Sequence, residues 1–190
     1  MLDDDDFDDG EQIKETFAYF GRAYYMANVF ETGLAISIMQ LDFLVETRKR
    51  YVAERPKTFD RPKYEADFDA FMDHQHAKTL GNLIKSACKF SEISHLIEPH
   101  FQNAKNQRDY LAHHFFRERA LEFSSRRGRE RLILELDELH DVFEHAGRLL
   151  DEAMAPHRKM LGVTPEMQAQ MMDKFRKESE PKKSCKCKKL

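Results

Sequence analysis

Apolar residues recur along this chain at intervals of three and four, the spacing that lines one face of an α-helix. The longest such pattern runs from residue 11 to about residue 54. There Ile13, Phe17, Phe20, Tyr24, Ala27, Leu34, Ile38, Leu41 and Val45 predict one long helix. Gly21 and Gly33 each weaken it by about 1 kcal/mol against alanine, so a kink or a close helix contact is expected at either. Glu31 falls inside the stripe. A carboxylate in that position needs a partner, which puts Glu31 against a polar pocket or at the rim of the core.

Arg55-Pro56 and Arg61-Pro62 bracket a connection, because a proline discourages helix in the residue before it. Phe68, Phe71 and Met72, then Leu80, Leu83, Ile84, Ala87 and Phe90, resume helical spacing. A break is expected between Ser91 and Pro99, and a further helix from near Lys105 to Phe123. After a turn at Ser124–Gly128 comes the cleanest amphipathic segment, with Leu132, Leu136, Leu139, Phe143, Ala146 and Leu150 on one face. Pro156 should mark its end. Thr164-Pro165-Glu166 reads as a cap followed by proline at the first helical position, so a short Met-rich helix follows to about Lys177.

These elements predict an all-α fold, an up-and-down bundle of four to five main helices with a short C-terminal helix. Its expected organisation is an acidic disordered head (1–10), a bundle (11–160), an accessory helix (161–178) and a basic disordered tail (179–190). At 190 residues the chain suits one domain. The net charge of −3 hides an asymmetry, since the first eleven residues are rich in aspartate while Lys182, Lys183, Lys186, Lys188 and Lys189 crowd the other end. Both ends read as solvated. No apolar run approaches the roughly 18 residues of a membrane span, and the acidic N-terminus is unlike a signal peptide, so a soluble cytoplasmic protein is expected. Three cysteines, two of them in the tail, do not make a disulfide framework.

The chemistry concentrates in Lys105-Asn106-Gln107-Arg108-Asp109-Tyr110-Leu111-Ala112-His113-His114-Phe115-Phe116. Arg108 offers a planar fork of donors suited to phosphate oxygens, and His113 takes up and releases protons near neutral pH. Five residues separate them, about 140° around a straight helix. One ideal helix therefore cannot aim both at one phosphate, and a helix end, a bulge or a second subunit is required. Bases outnumber acids eight to four between residues 105 and 131, an attractive field for a phosphate backbone, although Arg126–Arg131 fits a solvated face equally well. The absence of Trp and the scattered aromatics argue against a base-stacking platform.

An Arg, a polar residue, then His inside an apolar helical pattern resembles the signature of the HEPN family, which includes metal-independent ribonucleases. The resemblance is sharp over these twelve residues and loose over residues 11–155. It implies a homodimer in which two motifs line a shared cleft that cuts RNA, in a toxin-antitoxin or phage-defence setting, with an antitoxin protein as a further partner. On that resemblance Arg108 would hold the scissile phosphate, His113 would move the proton of the attacking or leaving oxygen, and Asp109 would orient one of them. Lys105, Asn106, His114 and Arg117 are the candidate substrate contacts. Some family toxins carry Tyr two places after the His, where a partner enzyme modifies it; this chain has Phe115.

No cofactor and no metal are expected. Glu92/His95 and Asp137/His140 have the acid-x-x-His spacing of di-iron bundles, but the second pair lies on a flank of its helix rather than on the Leu136, Leu139, Phe143 stripe. Cys185-x-Cys187 lacks a second ligand pair for zinc. Two other readings stay open: a non-catalytic helical binding module and, below it, a metal-binding bundle.

Overall fold

The computed structural model describes residues 4–179, and no residue among them is in a β-strand, so the chain is all-α. The order is α1 (Asp4–Ile38), a π-helical turn (Met39–Phe43), α2 (Leu44–Glu54), α3 (Arg61–His76), α4 (Leu80–Ala87), α5 (Glu98–His113), α6 (Phe115–Glu118), α7 (Ala120–Phe123), α8 (Arg126–Met160) and α9 (Pro165–Ser179). It divides into two compact units, Met1–Met154 and Ala155–Leu190.

In the first unit one continuous core draws on α1, α4, α5 and α8. Ala23, Ala27, Phe30, Leu34 and Ile38 of α1 meet Leu80, Leu83 and Ile84 of α4, Phe101 and Leu111 of α5, and the whole stripe from Leu132 to Leu150 of α8. Burial of each large side chain of this kind stabilises the fold by roughly 1.5–3 kcal/mol. The helix runs through Gly21 and Gly33 unbroken. At Gly33 the expected close contact is present: a Cβ there would lie 3.4 Å from Leu150 Cδ2 of α8. The irregularity falls instead at Met39–Phe43, where the wider turn lets both Leu41 and Phe43 go inward. Phe43 then packs on Tyr64, Phe68 and Phe71, with ring centroids 5.3–5.7 Å apart, which seats α3.

Several expectations change. Helix begins at Asp4, inside the segment read as a disordered acidic head, because Arg129 reaches back to it: its guanidinium binds Asp9 and donates to Gln12 Oε1 at 2.8 Å. Arg129 also donates to the Phe123 carbonyl and is only 3% exposed, so it is not part of a solvated basic face. Gly128 lies within the first turn of α8 rather than in the connecting turn, with Ser125 accepting from its N–H. Pro156 sits inside α8, which continues to Met160. The residues assigned to the basic tail lie outside the described residues, apart from helical Ser179.

By length and composition one helical stretch passes the test for a membrane span, contrary to the sequence expectation. Residues Asp9–Glu54 contain an 18-residue window of mean hydropathy 1.2, of which 39% is buried within the fold. Its inward face is the α1 contribution to the core. Tyr25, Val29 and Ile36 remain exposed on it.

In the second unit, α9 exposes Met167, Met171, Met172 and Phe175.

Candidate functional site

Phe101, Ala104 and Leu111 are buried and fix α5 on the core, which leaves Lys105, Arg108 and Asp109 half-buried at its edge. Arg108 is held from two sides. One terminal nitrogen donates to Asp109 Oδ1 at 3.2 Å and the other to Glu31 Oε2 of α1 at 3.3 Å. Glu31 is 23% exposed and Arg108 26%, so the pair is partly desolvated, and Arg108 Nε is buried without a hydrogen-bond partner. Lys105 Nζ takes the other oxygen of Asp109 at 2.7 Å, one turn away. Burial would raise the Asp109 pKa, but the hydrogen bond and charge of Lys105, followed by those of Arg108, bring it below the ordinary carboxylate value.

Arg108 and His113 both lie within α5, about 140° apart around it, and the helix ends directly after His113. His113 is the last residue of α5, and His114 leaves helical geometry at φ −125°, ψ −35° before α6 begins at Phe115. This ends the predicted continuous helix to Phe123. Across from the break lies the start of α4, where Thr79 caps the helix by accepting from Asn82 N. Thr79, Leu80 and Gly81 together with Lys105, Arg108, Asp109, His113 and His114 line an open cavity of about 460 Å³. Gly81 permits the approach, since a Cβ there would meet Lys105 Cε at 3.3 Å.

The two histidines differ in their surroundings. Arg117 lies 2.6 Å from His114 Nδ1, and Glu118 Oε1 lies 3.5 Å from the same nitrogen. His113 is exposed and meets the His114 ring edge-on, with centroids 6.3 Å apart. It is the imidazole better placed to exchange protons with a bound group. Outside the cavity lining, Arg119 makes a two-pronged ion pair with Glu135, which also accepts from the Tyr110 hydroxyl at 2.9 Å. Burial first, then the hydrogen bond and charge of Glu135, push the Tyr110 phenol up to about 12.

That raised value gives a prediction. A group whose pKa rises on folding contributes stability that is fully present below its unfolded pKa, near 10, and is lost as pH climbs through the folded value near 12. Ultraviolet titration of the native protein should therefore show a late-ionising tyrosine. Tyr110→Phe should remove that late step, and a trace identical to wild type would contradict the assignment.

Of the residues singled out by sequence, Lys105, Arg108, Asp109, His113 and His114 share the cavity. Asn106 and Arg117 do not line it. Asn106 is exposed about 200° around α5 from Arg108, and Arg117 is drawn to His114 and Glu118. Glu31, Thr79, Leu80 and Gly81 were not among the sequence-derived site residues. For Glu31 the signal was its place in an apolar stripe; for Thr79 it was a hydroxyl just before Leu80, Leu83 and Ile84. The aromatics also prove less scattered than they read. Phe17 and Phe20 of α1 pack with Phe115, Phe116 and Phe123 at centroid distances of 4.7–5.6 Å, leaving Phe17 half exposed beside the break.

Asp137 is bound by Arg22, and Glu92 accepts from Ser91. Compared with known proteins, the chain matches no family model, no curated protein and no solved structure.

Proposed function

We propose that this protein is a metal-independent endoribonuclease of HEPN type. The observation that carries the reading is that Arg108 and His113, on different flanks of α5, line one cavity at the capped start of α4. In the proposed reaction Arg108 exchanges part of its contact with Glu31 and Asp109 for the scissile phosphate. His113 accepts the proton of the 2′-hydroxyl as that oxygen attacks phosphorus. The bond to the 5′-oxygen breaks, the leaving oxygen takes a proton from solvent, and the products are a 2′,3′-cyclic phosphate and a 5′-hydroxyl. The half-exposed Phe17 supports contact with an unpaired base.

The protein acts as a homodimer with two such cavities on a shared cleft, in the cytoplasm, in a toxin-antitoxin or phage-defence setting. The apolar face of α9, with Met167, Met171 and Met172, suits a second copy or an antitoxin, because Met adapts to irregular apolar surfaces. Incubation of single-stranded RNA with purified protein and excess chelator should yield cyclic phosphate ends. Cutting that stops with chelator, or ends of the 3′-hydroxyl type, would contradict this chemistry.

A second reading has its own observation. Arg108 already has two carboxylate neighbours, an arrangement that also suits a binding module in which it is a structural tie. That reading expects RNA or protein capture without turnover.

A further inference from the structure

The sequence pairing of Asp137 with His140 is dissolved by Arg22, yet His140 has other acids beside it. We propose that His140, Asp141 and Glu144 of α8 form a binding site for a divalent transition-metal ion of the zinc class. One ligand atom from each lies within 4.8 Å of the others. His140 and Glu144 stand one turn apart on the same face, and Asp141 Oδ1 is 3.5 Å from His140 Nδ1. A tetrahedral ion with bonds of about 2 Å holds its donors roughly 3.4 Å apart, so the three donors would draw together by about 1 Å to share it.

Charge and chemistry agree with this assignment. On the preceding turns of α8, Glu135 is neutralised by Arg119 and Asp137 by Arg22. Among the described residues, Asp141 and Glu144 have no Lys or Arg within ion-pair distance. Two carboxylates without a basic partner next to one imidazole make a donor set that favours zinc, cobalt or nickel over magnesium, which prefers oxygen donors throughout. Three protein ligands leave a position for water. The His140 side chain is 19% exposed, so one ligand is held by packing while the carboxylates reach it from solvent. The ion would also bridge consecutive turns of α8 and so favour the folded helix.

The test is titration of the full chain with Zn²⁺ by calorimetry and with Co²⁺ by visible absorption. It is done in a Cys185→Ser/Cys187→Ser background, so that the tail thiols do not compete. One equivalent should bind with an oxygen- and nitrogen-type cobalt spectrum, and Zn²⁺ should raise the melting temperature. His140→Ala and Glu144→Gln should each weaken binding about tenfold or more and cancel the thermal shift. His145→Ala, which removes the imidazole that contacts His100, should leave both unchanged. Absence of a saturable site, equal affinity in wild type and both ligand variants, or loss of binding in His145→Ala would overturn the proposal. RNA cleavage is scored with chelator present, so neither outcome bears on the ribonuclease reading.

Discussion

Gly128→Ala is expected to destabilise the protein by about 3 kcal/mol or more, the upper range for overpacking. An alanine normally stabilises a helix relative to glycine by about 0.5–1 kcal/mol, so the sign itself is the test. At Gly128 a Cβ would run into the backbone carbonyl of Glu122, far inside van der Waals contact, and backbone has no rotamer with which to yield. Either α7 or the first turn of α8 would have to move. That turn is held by Ser125, which caps Gly128 N, and by Arg129, which ties Phe123 and the start of α1 together. Gly21 and Gly147 supply the controls, since a Cβ at either meets nothing within 4 Å. Urea unfolding should show both controls equal to or more stable than wild type and Gly128→Ala far below it. An unshifted midpoint for Gly128→Ala would refute the close packing at this corner.

Arg108→Ala is expected to lower kcat/KM on RNA a hundredfold or more, the scale for removing a donor to developing charge on the phosphate. It should also destabilise the fold by about 1–3 kcal/mol, because Glu31 is left half-buried without its cation. These two effects separate in the double variant Arg108→Ala/Glu31→Gln. Stability should return toward wild type, since the stranded carboxylate has gone, while activity stays lost. Recovery of activity together with stability would mean that Arg108 serves as a structural tie, as the binding-module reading holds.

Much of the fold was readable because helices leave a periodic record. The α8 stripe from Leu132 to Leu150 is buried as read, and Thr164-Pro165 does start α9. Contacts made across long stretches of sequence left weaker traces. Arg129 belonged to a run of basic residues with nothing local to distinguish it, and only its reach to Asp9 and Gln12 makes it a buried anchor. Helical spacing continues through His114, so no local pattern marks the break after α5. Glu31 announced that it required a partner but could not name Arg108, 77 positions away. Gly81 and Thr79 enter the cavity through the packing of α4 against α5, which no local pattern encodes.

His113→Ala offers the most direct measurement on the central claim, because His113 is exposed at the end of α5 and its loss should leave the melting temperature unchanged. Cleavage of labelled single-stranded RNA in excess chelator should fall by about 10²–10⁴-fold in this variant, the range for removing a general acid–base. Equal cleavage by the variant and wild type, at equal melting temperature, would contradict the account.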